Sequence, residues 1–272
     1  MARARKKPDE MTFLDHLEDL RWVLVRSTIA ILIAATFAFS FSGFLFDDVI
    51  FGPINPNFWT YDVLCQLSHR FGLDDSMCIG EMNFIIQNTE VEGQVSMLVW
   101  ICVVAGFILA FPYILYELWK FISPALYESE RKNARYFIGI ASLLFFFGVL
   151  FGYFIIVPMS VNFFATFTVS SIIQNEFNVN SYIGMIKTSV LASGLYFELP
   201  IIIYFLTRLG LITADFLRKY RRYAIVIILI IAAIVTPPDV VSQIIIAIPM
   251  LLIYEGSIIM SQYVAKKEKA HV

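Results

Sequence analysis

Long apolar runs, separated by short polar stretches, dominate the hydropathy pattern of this chain. A membrane helix needs roughly 20 apolar residues to cross a hydrocarbon core about 30 Å thick, and the first four runs reach that length. The last two have 13 and 17 residues. As helices they extend only about 20 Å and 26 Å, so they need flanking residues or a thinner bilayer. The pattern predicts six membrane helices, at Trp22–Phe46, Val95–Leu118, Tyr136–Pro158, Tyr182–Leu206, Tyr223–Val235 and Ile244–Met260.

Basic residues lie almost entirely on one side of these six helices. Of the 20 Lys and Arg residues, 18 fall in the N-terminal segment, in the loops after the second and fourth helices, and in the C-terminal tail. Only Arg70 and Lys187 fall elsewhere. Because the cytoplasmic loops of membrane proteins are enriched in Lys and Arg, the pattern predicts that both termini are cytoplasmic.

The longest loop, residues 47–94, is acidic and falls on the extracytoplasmic side. It carries eight Asp and Glu residues against the single Arg70. Cys65 and Cys78 both lie in it, and a disulfide between them would close a 14-residue loop. Such a bond stabilises by roughly 3 kcal/mol. The sequence leaves two alternatives open, a disulfide or two free thiols.

Composition agrees with a membrane protein. The chain has 272 residues, of which 59% are hydrophobic and 16% aromatic, and its mean hydropathy is +0.75, whereas soluble domains are roughly 45–50% apolar. Three cysteines without a Cys-x-x-Cys pair, and three histidines, offer no metal cluster at standard ligand spacing. We therefore expect an all-α membrane protein without a metal, a cofactor or a nucleic-acid partner. It should form a single polytopic domain over residues 1–272, with an amphipathic cytoplasmic segment at 1–21 and a cytoplasmic tail at 261–272.

The segment "TFLDHLEDLRWVLVR" has the periodicity of an amphipathic helix. Apolar residues recur at Phe13, Leu17, Leu20 and Leu24, which is one stripe of a helix. On periodicity alone, this favours a helix in the membrane interface that leads into the first span, rather than a binding site. Its polar side presents Asp15, His16, Glu18, Asp19 and Arg21.

Two further polar stretches have simple structural interpretations. In "WKFISPALYESERKNAR", Ser123 and Pro124 are typical of a helix start, and the charges that follow are typical of a solvated cluster. In "TPPDVVSQ", Thr236 as N-cap, Pro237 at N1 and Asp239 at N3 make a self-sufficient helix start, where an acid is favoured by the helix dipole.

Glu198 is the one charged residue in the apolar stretch "SVLASGLYFELPIIIYFL". An acid at the centre of a membrane helix costs about 2.5–3.5 kcal/mol on insertion scales, and such residues usually face protein or a wet cavity. Pro200 removes a backbone donor and leaves the carbonyl of Tyr196 without its usual partner, so the helix can bend here. Two interpretations stay open: a buried glutamate hydrogen-bonded to a neighbouring helix, or a polar site on a concave face.

Taken in order, five of these stretches resemble the motifs of the TatC family, the multispanning subunit of the twin-arginine protein translocase. They are "HLEDLR", "FISPALYESERK", "FELP", "TPPDVVSQ" and "AIPMLLIYE". The resemblance runs from about Phe13 to Glu255, and the acidic loop at 47–93 is its least typical part. It implies six helices arranged like a cupped hand with a polar concave side, the last two helices being short.

The function that this resemblance implies is export of folded proteins across the bacterial cytoplasmic membrane, driven by the proton-motive force. The exported proteins carry signal peptides with two consecutive arginines. The implied partners are those signal peptides, single-span subunits of the TatA/TatB type and the lipid bilayer, and the chain would be part of an oligomeric complex. No catalytic centre is implied.

The resemblance also assigns recognition of the arginine pair to acids on the cytoplasmic face. A carboxylate accepts two parallel hydrogen bonds from a planar guanidinium, which a lysine cannot supply. In the family's His-Leu-x-Glu-Leu-Arg motif, Asp19 takes the glutamate position and Glu18 the variable place, so either acid could reach the ligand. The matching residues beside them are His16, Leu17, Leu20 and Arg21.

The remaining residues carried over from the family lie in three other places. The second acid maps onto Glu130, with Phe121, Pro124 and Tyr127 around it. Glu198 maps onto an intramembrane glutamate in the concave groove, where it would contact a partner or the inserted signal peptide. The outer-loop residues are Pro53, Pro238, Asp239 and Gln243.

Two other classes of protein compete with this interpretation. A secondary transporter could use Glu198 beside Pro200 for ion coupling, but it predicts inverted repeats, and the two halves of the sequence show none. An intramembrane protease needs an activated nucleophile or a metal site. The sequence contains no His-Glu-x-x-His, Gly-x-Ser-x-Gly or Gly-x-Gly-Asp motif.

Overall fold

The structure, a computed structural model, describes residues 13–70, 78, 84–123, 134–170, 172, 175–235 and 240–269. Nearly all of these residues lie in helices. The helices are α1 (Phe13–Ser40), α2 (Trp59–Arg70), α3 (Gly93–Ile122), α4 (Ala134–Phe151), α5 (Val157–Thr166), α6 (Val179–Phe197), α7 (Leu199–Arg208), α8 (Ala214–Lys219), α9 (Arg221–Val235) and α10 (Val240–Lys269). Short helical turns at Ser42–Phe44, Leu45–Ile50 and Gly52–Ile54 follow α1, and a stretch of π-helix at Gly152–Ile156 joins α4 to α5.

Five helical stretches within the described residues are long and apolar enough to cross a membrane. They are His16–Ser40, Gly93–Ile122, Tyr136–Thr166, Val179–Arg208 and Gln243–Lys266. The prediction of an all-helical membrane protein is confirmed. The fifth predicted span, Tyr223–Val235, falls in α9, whose 15 residues extend only about 22 Å. The count of six spans and the orientation of the termini stay predictions.

The chain folds into two compact units, of which the first comprises residues 1–42 and 98–143. Its described part contains α1, most of α3 and the start of α4. At Gly106 the backbones of α3 and α1 touch, because a Cβ added there would lie 2.6 Å from the backbone nitrogen of Ala35 and 2.7 Å from the carbonyl oxygen of Ile31. Small residues permit such close approach between membrane helices, where no hydrophobic effect drives association.

The second unit comprises residues 43–97 and 144–272. Its apolar core is formed chiefly by α10 and α9, and α6, α7 and α8 each contribute one buried residue. Hydrogen bonds from buried hydroxyl groups tie α10 to its neighbours: Tyr196 donates to the carbonyl of Met250 at 3.0 Å, and Thr207 donates to Ser261 at 2.9 Å. Within the same unit, Ser193 on α6 donates to the carbonyl of Gly148 on α4 at 2.7 Å. These bonds satisfy polar groups that water cannot reach.

Two short strands are the departure from an all-helical fold. The strand β1 (Ile85–Gln87) pairs in parallel with β2 (Glu176–Asn178), and Ile86 lies opposite Phe177. The amide of Gln87 donates to the carboxylate of Glu176 at 2.6 Å. This pairing joins the long loop to the residues that lead directly into α6.

The disulfide left open by the sequence is present, between Cys65 on α2 and Cys78. His69 lies beside it, with Nε2 3.9 Å from the sulfur of Cys78. The sulfurs and the imidazole are within 4.8 Å of one another, but the two sulfurs are bonded to each other. The bond therefore closes a 14-residue segment within the long loop, and the two thiols are not free.

Candidate functional site

The helix α1 presents the N-terminal motif to solvent. His16, Glu18, Asp19 and Arg21 are all exposed. Asp19 lies three residues after His16, so the two side chains are neighbours on the helix surface. The carboxylate that the sequence predicts as a ligand for arginine is therefore accessible, and so is that of Glu18.

His16 contacts a second predicted site residue, Phe121, near the end of α3. Their rings are stacked, with centroids 4.4 Å apart and an interplanar angle of 25°. Offset aromatic pairs of this kind contribute about 0.5–1.5 kcal/mol beyond the area that they bury. The contact joins the motif "HLEDLR" to the residue that begins "FISPALYESERK", far along the chain.

Residues 124–132 of that second motif, which include Pro124, Tyr127 and Glu130, lie outside the described part of the chain. Pro238 and Asp239 of the predicted outer loop lie outside it too. A meeting of Asp19 with Glu130 therefore stays a prediction.

The two described residues of the predicted outer-loop set make structural contacts. Pro53 is buried, and its carbonyl accepts a hydrogen bond from Tyr61. Burial raises the pKa of the Tyr61 phenol above its ordinary value. The amide of Gln243 donates to the carbonyl of Leu229 at 3.1 Å, which links α10 to α9.

A charged cluster that the sequence did not predict lies between α1 and α3. Arg26 Nη1 is 3.1 Å from Oε2 of Glu117, and the hydroxyl of Tyr113 donates to Oε1 of Glu117 at 3.1 Å. The side chain of Glu117 is only 4% exposed, whereas that of Arg26 is 42% exposed. One feature of the sequence does point to this cluster. Tyr113 and Glu117 are four residues apart, so they lie on one helix face, and both are close to the end of an apolar run.

Glu198 lies at a break between two helices. The helix α6 ends at Phe197 and α7 begins at Leu199, with Pro200 in its first turn. The carbonyl of Glu198 accepts hydrogen bonds from the amides of Ile201 and Ile202, both at 3.0 Å. The helix is therefore interrupted at Glu198, two residues before Pro200.

The carboxylate of Glu198 is buried and has no hydrogen-bond partner among the described residues. The residue is 5% exposed, and neither side-chain oxygen makes a hydrogen bond. The backbone amide of Phe145 on α4 lies close to it, without the geometry of a hydrogen bond. Both interpretations of Glu198, a glutamate hydrogen-bonded to a neighbouring helix and a polar site on a concave face, therefore stay open. A buried polar group without a partner is costly in a membrane.

Comparison with known proteins identifies the family. The family model described as Sec-independent protein translocase protein (TatC) matches residues 15–249. The Sec-independent protein translocase protein TatC of Blattabacterium sp. subsp. Periplaneta americana is 43% identical over 97% of this chain and 100% of its own length. The TatC protein of Desulforapulum autotrophicum is 36% identical over 97% of this chain and 88% of its own length.

A solved structure agrees with these sequence matches. The crystal structure of the twin-arginine translocase receptor TatC in DDM superposes with a TM-score of 0.70 at 33% identity, covering 90% of this chain and 99% of that chain. The resemblance found in the motifs is confirmed. With five apolar helices among the described residues, the chain is a multi-pass protein of the bacterial inner membrane, and a transport protein rather than an enzyme. The chain belongs to the TatC family of Sec-independent protein translocase proteins.

Proposed function

We propose that this chain is the receptor for twin-arginine signal peptides and the core subunit of a translocase that exports folded proteins, driven by the proton-motive force. The observation that carries the proposal is the stacking of His16 on Phe121. It holds the exposed acids of α1 beside the end of α3, from which the second motif continues.

In this proposal two carboxylates each bind one arginine of the signal peptide. Asp19 supplies one from α1, where it is exposed, and Glu130 supplies the other. Each guanidinium donates two parallel hydrogen bonds to its carboxylate, an arrangement that lysine cannot reproduce. Two acids on separate segments make recognition depend on both arginines. The residues that would frame this site are His16, Arg21, Glu18, Phe121, Pro124 and Tyr127.

Site-specific crosslinking tests the binding site. A photo-reactive residue at position 19 or 130 should crosslink to a precursor whose signal peptide has an Arg-Arg pair, and not to one with Lys-Lys. Asp19→Ala and Glu130→Ala should each abolish crosslinking from a reporter position nearby, while the protein still accumulates in the membrane. Asp62→Ala, which removes an exposed acid on α2, is the matched control and should leave crosslinking unchanged.

The variant Glu18→Ala decides which acid of α1 binds the ligand. Loss of crosslinking in Glu18→Ala and not in Asp19→Ala would assign the role to Glu18. Normal crosslinking in the Glu130 variant would remove that residue from the site.

We place Glu198 in a supporting role within the same protein. Its buried carboxylate, without a partner among the described residues and at a helix break, is suited to contact the inserted signal peptide or a polar residue of a single-span TatA/TatB-type subunit. Crosslinks from position 198 should therefore appear only when a precursor or such a subunit is present. Crosslinks confined to lipid would contradict this role.

Export in cells tests the whole proposal. A strain that lacks its own TatC should export a folded twin-arginine reporter again when it carries this chain, and a protonophore should stop that export. The proposed topology places both termini and the N-terminal segment 1–21 in the cytoplasm and the loop 47–94 outside. Cysteines introduced at the termini should therefore be protected from a membrane-impermeant reagent applied from outside the inner membrane.

A further inference from the structure

A groove runs along the pair of helices α1 and α3 in the first unit of the protein. It has a volume of about 690 Å³ and is lined by six residues on one face of α1, from Arg26 to Phe37, and by Leu109, Ala110 and Tyr113 of α3. Among the described residues that line it, Arg26 is the only charged one, and the hydroxyl of Tyr113 lies at the same end. We call it the α1–α3 groove.

The groove is preformed rather than collapsible, because the two helices are fixed to each other at two points. At one point Gly106 permits backbone contact with Ala35. At the other, Arg26 pairs with Glu117. Small side chains leave the space between these points open: Ala30 and Ala34, which are one turn apart on α1, and Ala110 on α3.

The groove is about as long as one leaflet of a bilayer is thick, and its charged end lies at the edge of the hydrocarbon layer. From Arg26 to Phe37 the helix rises about 16 Å, close to half of a hydrocarbon core roughly 30 Å thick. Glu117 lies 22 residues after Val95, the start of the apolar part of α3, which corresponds to about 33 Å along the helix. The Arg26–Glu117 pair therefore lies at the edge of the hydrocarbon layer, and the apolar part of the groove extends towards the middle of the bilayer.

Arg26 keeps hydrogen-bonding capacity for a ligand. Both oxygens of Glu117 are occupied, one by Arg26 and one by Tyr113. The guanidinium has five N–H donors, of which this pair uses one, on Nη1. Because the side chain of Arg26 is 42% exposed, its remaining donors are accessible at the membrane interface. Basic pockets between membrane helices bind anionic lipid headgroups, and the remaining donors of Arg26 offer one contact of that kind.

We propose that the α1–α3 groove binds an anionic phospholipid, with its phosphate on Arg26 and one acyl chain along the apolar floor between the two helices. The opposite ends of the groove match the two parts of such a molecule, a charged head and a slender tail. In the proposed topology the lipid belongs to the cytoplasmic leaflet.

Lipid retention by the purified full-length chain tests the proposal. The chain in detergent is titrated with phosphatidylglycerol or with phosphatidylcholine of the same acyl composition, and bound lipid is measured by native mass spectrometry. We expect at least tenfold tighter binding of phosphatidylglycerol. Equal binding of the two lipids would overturn the proposal, since it would mean that the headgroup charge is not recognised.

Two variants separate the head and tail contacts. The double variant Arg26→Gln/Glu117→Gln keeps a neutral polar pair between α1 and α3 but removes the cation, so the preference for phosphatidylglycerol should disappear. Ala30→Leu/Ala34→Leu fills the groove and leaves the Arg26–Glu117 pair in place, so binding should fall at least tenfold. Leu32→Phe, at an exposed position of α1 outside the groove, is the control and should bind like the parent.

Thermal unfolding in detergent without added lipid confirms that each variant is folded. Parent-like binding by the folded groove-filling variant would overturn the proposal. A photo-reactive residue at Ile33, an exposed position on the groove, should form an adduct with lipid in native membranes. An adduct with a signal peptide or a single-span subunit instead would overturn it too, because a protein helix would then occupy the groove.

Discussion

The ring of His16 on α1 stacks on that of Phe121 near the end of α3, with the ring centroids 4.4 Å apart. This contact orients the segment that carries Asp19, because His16 and Asp19 are neighbours on one helix face. Phe121→Ala should therefore weaken signal-peptide crosslinking from position 19 several-fold, since the stack contributes about 0.5–1.5 kcal/mol. Phe121→Tyr, which keeps an aromatic ring, should retain crosslinking. Equal crosslinking in the alanine and tyrosine variants would show that the stack does not position the site.

The Arg26–Glu117 pair should respond asymmetrically to removal of either partner. Arg26→Ala leaves the buried carboxylate of Glu117 without its cation, which should lower the free energy of unfolding by about 3–5 kcal/mol. Glu117→Gln leaves Arg26, which is 42% exposed, free to reach water, so the loss should be only about 1 kcal/mol. Denaturant unfolding in detergent measures both. Equal losses would mean that the burial of Glu117 does not set the energy of the pair.

The break at Glu198 and the pair between Arg26 and Glu117 differ in how far sequence predicts them. A proline two residues after an acid in an apolar run has local consequences, and the helix ends there as expected. The ion pair joins residues 91 positions apart, so it depends on how α1 packs against α3. That packing depends on backbone contact at Gly106, which no periodicity in the apolar residues indicates.

The sequence predicts the long membrane helices well, but it predicts neither the short helix α9 nor the disulfide with certainty. Apolar length predicts α1, α3, the α4–α5 stretch and the α6–α7 stretch, because a bilayer of fixed thickness demands it. It leaves the short α9 undecided, since flanking residues and local thinning can substitute for length. Likewise, two cysteines in an acidic loop allow a disulfide, but only their proximity in the fold decides that Cys65 and Cys78 are bonded.

Two glycines on α4 should respond in opposite ways to substitution by alanine. A Cβ at Gly148 would lie 2.6 Å from the carbonyl oxygen of Ser193 and 2.8 Å from Cα of Gly194, so Gly148→Ala must separate α4 from α6. We expect reduced accumulation in the membrane and a lower unfolding temperature. At Gly139 a Cβ meets nothing within 4 Å. Gly139→Ala should be neutral, or stabilise the helix by up to about 1 kcal/mol. Normal stability of Gly148→Ala would contradict the tight packing of these helices.

The Cys65–Cys78 disulfide should stabilise the loop that contains α2. It joins residues 13 positions apart, and closing a loop of that size contributes about 3 kcal/mol through the unfolded state. The double variant Cys65→Ser/Cys78→Ser should unfold at a lower temperature than the oxidised parent. A reductant should lower the unfolding temperature of the parent to a similar value and leave that of the double variant unchanged. If reductant also lowered the unfolding temperature of the double variant, its effect on the parent could not be assigned to the Cys65–Cys78 bond.

Glu198 should show opposite effects on stability and on export. Its carboxylate is buried without a hydrogen-bond partner among the described residues, and an acid inside a membrane helix is unfavourable by roughly 2.5–3.5 kcal/mol. Glu198→Leu removes that penalty, so the free energy of unfolding should rise by about 1–3 kcal/mol, while export of a twin-arginine reporter should fall at least tenfold. Glu198→Gln, of nearly the same shape, separates charge from polarity. Export close to that of the parent would mean that a hydrogen bond is sufficient, whereas loss of export would show that the charge itself is needed. A destabilised Glu198→Leu variant would contradict the functional role, because it would mean that the glutamate holds α6 and α7 in place.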